Sequence, residues 1–308
     1  MSWAWDRVAG VYSDHSLSSN IRREAIADAL FMRWVRTEPG FGKGKGQSHT
    51  ITRIMQLPLA SRVKEVERLP TGRPAISTKA VTVSPWGFKV ELTEFEQHLT
   101  HFDITNQFQK MLRDQMSLTM DKMVADGMKL NPIKYIPTSV AGGVVDTDGT
   151  PSTQATANLT VAHIREIFDY LHGTLKAPKY RGGRYVGILS TKAARGLKTD
   201  PEYKDWQAPT TAEPFLTGRL KDVEGFALFE TNHYNALSNG IGLNSILGEA
   251  IFFGDDFAFL VETQTPELRA GLPDDLGRFR EVGWVGEIDS GLVWDLASQS
   301  RGIHVSSS

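Results

Sequence analysis

The apolar positions of the chain change period near residue 93, from strand-like alternation to a helical repeat. Residues 88–92 alternate apolar and polar side chains, which is typical of a strand with one buried face. Beyond them, apolar residues recur every three or four positions, at Ile104, Phe108, Leu112, Met116, Met120 and Met123/Val124. This repeat predicts one amphipathic helix over residues 93–130. At about 1.5 Å per residue, the part from about Glu94 to Met128 would span about 50 Å, more than a compact domain of this size requires.

Signals at both ends delimit this long helix. Thr93 and Glu96 form a capping-box pattern at its start, and Gly127 with Asn131-Pro132 marks its end. We interpret its methionines as a buried seam against the core or against a second subunit, rather than as an adaptable ligand groove. These are Met111, Met116, Met120, Met123 and Met128.

The segment before the long helix predicts a two-stranded hairpin. Residues 49–59 and 75–92 have strand patterns, and the charged segment 62–68 and the turn 70–74 join them. The hairpin has too little apolar surface to fold against itself, and an isolated two-stranded ribbon is marginal in water. We therefore expect it to lie on another surface, most simply a neighbouring subunit.

The segments before the hairpin and after the long helix have other patterns. Residues 22–36 predict a basic amphipathic helix, and the glycine-rich tract 40–46 predicts a hinge. A turn-rich linker over residues 144–158 precedes an α/β region with predicted helices from residue 159 and at 191–197, and predicted strands at 185–189 and 226–229. The last 60 residues predict strands at 250–253, 257–261, 279–285 and 292–294.

Composition narrows the class of protein. The chain of 308 residues is 40% hydrophobic and has no cysteine, which excludes disulfides and thiol chemistry and favours a cytosolic protein. We find no export-signal pattern and no run of about 18 apolar residues. Residues 1–93 carry 14 Lys and Arg against 8 Asp and Glu, whereas residues 249–308 carry 4 against 11. Either solvated faces or head-to-tail contact between copies explains this asymmetry.

Motifs for catalysis are weak. Gly254-Asp255-Asp256 resembles a polymerase metal hairpin and Asp289-Ser290-Gly291 an aspartic-protease tripeptide, but a turn between strands explains each better. Residues 146–149 begin like a calcium loop whose later positions do not fit. No Gly-x-Ser-x-Gly elbow is present.

Candidates for metal and phosphate binding are equally weak. His98 and His101 have a spacing that would let them share a metal with Glu94, but solvated side chains on a charged helix face are the better explanation. The tract 42–46 lacks the Gly-Lys-Ser/Thr ending of a phosphate loop. We therefore predict no catalytic residue, no cofactor, no metal and no enzymatic activity.

The order of basic arm, extended loop, long helix, α/β region and returning strands resembles the Hong Kong 97-like fold of tailed-phage major capsid proteins. Local sequence is similar to the coat-protein branch of coliphage N4 in residues 86–93, 102–103, 120–121, 253–259 and 276–284. The similarity covers about residues 45–300 and consists of spaced glycines, aromatic residues and periodicity.

The resemblance implies an α+β fold in five parts. They are an N-terminal arm (1–46), an extended loop hairpin (47–92), a spine helix with a peripheral sheet (93–155), an axial α/β domain (156–248), and strands that return to both domains (249–308). It implies self-assembly into hexamers and pentamers of an icosahedral head around double-stranded DNA, within a virion assembled in the host bacterial cytoplasm. Expected partners are a separate scaffolding protein, a portal, a decoration protein and nonspecifically bound DNA, with no membrane.

Two sets of charged residues are candidates for these contacts. For contacts between subunits they are Arg62, Lys64, Glu65, Glu67, Arg68, Arg73, Asp274 and Asp275. For a basic arm that faces the interior they are Arg22, Arg23, Arg33, Arg36, Lys43 and Lys45. Two alternatives stay open, an α/β enzyme of unknown chemistry and another phage structural component such as a decoration or portal-associated protein.

Overall fold

A computed structural model describes residues 26–38, 42, 44–65, 68–99, 104–180, 182–207, 220, 222–272, 274–275 and 278–308. Its α-helices are α1 (Glu94–Leu99), α2 (Ile104–Lys129), α3 (Val161–Asp169), α4 (Thr191–Thr199) and α5 (Pro201–Gln207). Its first six strands are β1 (Arg36–Thr37), β2 (Ser48–Ile54), β3 (Ile76–Thr82), β4 (Ser84–Thr93), β5 (Lys134–Ser139) and β6 (Gly142–Asp146). The others are β7 (Tyr185–Ser190), β8 (Phe226–Thr231), β9 (Ala250–Phe253), β10 (Ala258–Ala270), β11 (Phe279–Leu292) and β12 (Gly302–Val305).

The strands form two sheets and a separate hairpin. The four-stranded sheet has the order β1-β10-β11-β4, the six-stranded sheet has the order β6-β5-β12-β9-β7-β8, and β2 and β3 form a two-stranded sheet. The last part of the chain supplies β9 and β12 to the six-stranded sheet and β10 and β11 to the four-stranded sheet. Residues 134–146, which we assigned with the spine helix, lie in the six-stranded sheet because β5 pairs in parallel with β12.

The long helix is confirmed over α1 and α2, while residues 100–103 between them and the side chain of Glu96 lie outside the described part. At about 1.5 Å per residue, the 26 residues of α2 span about 39 Å. Gly127 does not cap the helix, because α2 continues to Lys129. Gly127 instead permits close packing, since a Cβ there would lie 2.3 Å from Ser290 Oγ of β11.

Both sheets bury the apolar side of α2. In its first half, Leu112 packs with Val282 and Trp284 of the four-stranded sheet. Its second half enters a larger core shared by both sheets, where Met123 and Met128 are buried. The predicted methionine seam is therefore confirmed toward the C-terminal end, whereas Met111 is 54% exposed.

The helix predicted over residues 22–36 is wrong for its described part. Residues 26–30 are irregular, Phe31–Trp34 form one 3-10 turn, and β1 pairs in parallel with β10. The buried Phe31 enters the core beside α2, and its backbone N–H donates to Asp121 Oδ1 at 2.7 Å. Packing against α2 thus replaces the hydrogen bonds that a local helix would have made.

The predicted hairpin is shorter than expected. β2 and β3 pair from Ser48↔Thr82 to Ile54↔Ile76, but β4 pairs with β11. Residues 84–92 therefore belong to the four-stranded sheet, because Val90 and Leu92 turn toward the α2 side of that sheet. Asp289-Ser290-Gly291, which we expected in a turn, lies inside β11.

The α/β region agrees with its pattern. Helix α3, strand β7, helix α4 and strand β8 occur where the periodicity predicted them, and β7 pairs in parallel with β8. Every residue of β7 is buried, which explains why its sequence is a continuous apolar run rather than an alternating one.

Candidate interaction surface

The end of the β2–β3 hairpin projects from the rest of the subunit. We call residues 55–75 the hairpin tip. Met55 N–H donates to Ala75 O at 2.9 Å, so the two arms stay together at the start of the tip. From residue 56 to residue 76, every described residue except Val63 is exposed. Apart from Met55, whose sulfur contacts the Gln299 side-chain amide, the described residues of the tip therefore have almost no packing within their own subunit.

The hairpin tip presents both charge and apolar area. The predicted contact residues Arg62, Lys64, Glu65, Arg68 and Arg73 are all exposed, whereas Glu67 lies outside the described residues. Large apolar side chains on and beside the tip are also exposed, namely Ile54 (65%), Leu57 (51%), Leu59 (95%), Leu69 (77%) and Ile76 (64%). An exposed apolar area of this kind is typical of a surface that binds a partner. The contact residues predicted from the sequence are all charged and do not include these apolar side chains, although the alternating Leu57 and Leu59 indicate them.

A buried arginine fixes the base of the hairpin. The Arg53 side chain is 5% exposed, and its guanidinium donates to Val293 O and to the carboxylate of Asp295. Lys79 Nζ lies 2.9 Å from the other oxygen of Asp295. Burial would raise the pKa of Asp295, but the hydrogen bonds from Arg53 and Lys79 outweigh burial and lower it. The hairpin is thus anchored at its base and free at its tip.

We expect Asp295→Ala to loosen this anchor, because it leaves the buried Arg53 guanidinium without its carboxylate. Loss of a charged hydrogen-bond partner lowers the free energy of unfolding by about 1–3 kcal/mol, and the partial exposure of Asp295 favours the lower half of that range. Limited proteolysis should cleave residues 48–82 faster, with protection of the six-stranded sheet unchanged. Lys79→Met removes the more exposed partner and should have a smaller effect; equal cleavage of the two variants would contradict the role of Arg53.

The acidic candidates lie at the far end of the four-stranded sheet. Asp274 and Asp275 are exposed in the turn between β10 and β11, where Arg278 pairs with Asp275 at 3.3 Å. The hairpin base meets β11 at Gly291, which lies against Val81. Gly291 is 12 residues beyond the start of β11, about 40 Å at about 3.3 Å per residue. The two candidate contact regions therefore lie at opposite ends of β11.

Three of the basic-arm candidates lie in the described part of the chain. Arg33 and Lys45 are exposed, but Arg36 pairs with Asp255 through contacts of 2.8 and 3.0 Å. That ion pair links β1 to the loop after β9 while the Arg36 side chain remains 69% exposed, so its place in an interior-facing basic arm stays a prediction. Arg22, Arg23 and Lys43 lie outside the described residues.

The chemical motifs are occupied by structural contacts. Asp255 binds Arg36, Asp256 binds Arg301, and Asp146 accepts hydrogen bonds from Ser152. The His98 side chain is 73% exposed, and His101 lies outside the described part. Among the described residues, no group of three or more His, Asp or Glu side chains could hold a metal ion. Nor does any helix in that part of the chain combine the length and apolar content needed to cross a membrane.

Comparison with solved structures identifies the fold. The chain is similar to the capsid asymmetric unit of cyanophage Pam1, with a TM-score of 0.71 and 15% identity over 97% of this chain and 98% of that chain. It is also similar to the capsid of Helicobacter pylori bacteriophage KHP30 (0.67, 13%) and to the capsid of Ralstonia phage GP4 (0.66, 14%), each over 97% of both chains. No family model and no curated protein matches. The predicted Hong Kong 97-like fold class is therefore confirmed.

Proposed function

We propose that this chain, which has the Hong Kong 97-like capsid fold, is a major capsid protein that assembles into hexamers and pentamers of an icosahedral phage head. The observation that carries the proposal is the hairpin tip, whose described residues have almost no packing within their own subunit, in a chain that matches a capsid subunit over 97% of its length. A second copy supplies the missing surface. In this role the chain is a structural protein of the virion and not an enzyme.

The expected partners follow from the same role. A shell of this kind encloses double-stranded DNA, grows on a separate scaffolding protein, contains a portal and takes up a decoration protein, with assembly in the bacterial cytoplasm. Arg33 and Lys45 remain candidates for contact with DNA phosphates, which attract cations without regard to sequence. The closer similarity to the N4 branch also stays a prediction, which superposition on a solved coat protein from that branch would test.

Size-exclusion chromatography with negative-stain microscopy of the expressed protein tests this proposal. A capsid protein should give rings of five and six copies or closed particles. An α/β enzyme would give a monomer or small oligomer with a pocket of convergent titratable groups. A decoration or portal-associated protein would self-associate without the hairpin lying between subunits.

A further inference from the structure

Four charged side chains are brought together where α2 meets the six-stranded sheet. Lys129 is the last residue of α2, Lys134 is the first of β5, Glu249 directly precedes β9, and His304 lies on β12. The side chains of Glu249 and His304 are 9% and 6% exposed, and Lys134 is 6% exposed. Lys129 is more accessible, at 23%. We call this group the joint cluster.

Hydrogen bonds link the joint cluster into one network. Glu249 lies 2.9 Å from Lys129 Nζ and 2.7 Å from His304 Nε2, and it also accepts the Ser238 N–H at 2.6 Å. Lys134 Nζ lies 2.9 Å from His304 Nδ1 and 2.6 Å from the backbone carbonyl of Lys129. Lys134 therefore connects the C-terminal end of α2 to the imidazole.

This geometry requires a neutral His304. A lysine ammonium only donates hydrogen bonds, so His304 Nδ1 must accept, and the single imidazole proton must lie on Nε2 and point at Glu249. Burial lowers the pKa of His304 and outweighs the hydrogen bond to Glu249, while Lys134 and Lys129 lower it further. Burial also lowers the pKa of Lys134, to about 8.

The charged groups of the described chain that act on His304 are Glu249, Lys134 and Lys129. They come from the three elements packed around His304, which are the residue before β9, strand β5 and helix α2. The nearby Asn131 and Ser300 are uncharged, and they bond to each other and to Gly302 O. No further titratable group among the described residues offsets a second proton on the imidazole.

We propose that the joint cluster is an acid-sensitive connection between α2 and the six-stranded sheet, released when a proton from solvent binds His304 Nδ1. That proton occupies the position where Lys134 donates, and it places two positive groups 2.9 Å apart. The Lys134 ammonium then leaves both the imidazole and the Lys129 carbonyl. The end of α2 then loses its tie through Lys134 to β5 and β12, which are neighbouring strands of the sheet, and keeps the contact of Lys129 with Glu249 beside β9.

The direction of the pH effect follows from linkage. The opened chain binds the proton at the ordinary histidine pKa of about 6.5, whereas the closed cluster binds it only at lower pH. The connection is therefore complete above about pH 6.5 and weakens as pH falls. The open fraction should rise by up to about tenfold per pH unit until the pKa of the closed state is reached.

Hydrogen–deuterium exchange of peptides from residues 124–136, at about pH 5 and about pH 7.5 and corrected for intrinsic exchange, tests the proposal. The wild type should open more at the lower pH. His304→Gln should lose most of this response, because its amide can donate to Glu249 while its carbonyl accepts from Lys134. His98→Gln changes an exposed histidine and should respond like the wild type.

A second variant tests the same idea from the other side. Lys134→Met removes the cation beside Nδ1, so the closed cluster should bind the proton at higher pH, nearer to the value of the open chain, and the pH response of opening should shrink. Equal pH responses of wild type and His304→Gln, or a full wild-type response in Lys134→Met, would overturn the proposal. If His304→Gln does not fold, the size of the Lys134→Met response decides. The exchange assay reports on the subunit in any assembly state, so its outcome is independent of shell formation.

Discussion

Deletion of residues 60–74 is expected to leave a soluble, folded subunit that forms no shells. The deleted residues are exposed wherever they are described, apart from Val63, so their removal takes little from the core of the subunit. Met55 and Ala75 are already hydrogen-bonded across the hairpin, and residues 56–59 remain to close it as a short turn. What the deletion removes is the charged and apolar surface available to a second copy, including Leu69.

Sedimentation velocity and negative-stain microscopy measure this result, with circular dichroism to confirm folding. Replacing residues 60–74 with a glycine–serine segment of equal length is the matched control, because it restores chain length without the side chains. It should also fail to form shells. Particles of normal size from the deletion variant would contradict a role of the hairpin tip in contacts between subunits.

Asp121→Ala is expected to have the largest effect on the stability of the subunit. Asp121 is fully buried on α2, and its Oδ1 accepts the backbone N–H groups of Phe31 and Met32 at 2.7 and 3.1 Å. Its Oδ2 lies 3.4 Å from His233 Nδ1, in the segment after β8. Alanine leaves these donors buried without an acceptor, which should cost about 2–5 kcal/mol of unfolding free energy.

Urea unfolding in the background of the 60–74 deletion measures this cost on unassembled subunits. Asp126→Ala is the matched control on the same helix, because Asp126 is exposed and its pair with Lys122 is worth about 0.5 kcal/mol or less. Asp121→Asn keeps an acceptor oxygen for Phe31 and Met32 and should lose less than alanine does. Equal losses of unfolding free energy in Asp121→Ala and Asp126→Ala would contradict a stabilising role for the buried hydrogen bonds of Asp121.

The periodicity of apolar residues predicted the helices and strands that have one buried and one exposed face. The change from alternation to a helical repeat correctly predicted β4 and the long helix, because each pattern records which side chains face the core. Fully buried strands such as β7 were found from their continuous apolar runs. The order of these elements then led to the fold class.

The sequence pattern of a strand does not show which other strand it pairs with. The strand pattern of residues 75–92 gives no sign that the partner changes from β2 to β11 at Val83. The helix predicted around Phe31 failed because its backbone donors bind Asp121, which is 90 positions away in sequence. Strand β12 has only four residues, too few for a period to be detected.

The anchoring charges were also not predictable. Arg53 and Asp295 lie 242 positions apart, and Lys129, Glu249 and His304 come from three distant segments. Each is an ordinary polar residue in its own local pattern. Only the packing of strands from both ends of the chain brings these side chains together and buries them.

Electron cryomicroscopy of particles formed by the full chain tests the central claim most directly. The account predicts closed icosahedral shells built of six-fold and five-fold rings, in which the hairpin tip of each copy lies on an adjacent copy. A compact dimer with no higher assembly, or a shell in which residues 55–75 contact only their own subunit, would contradict it.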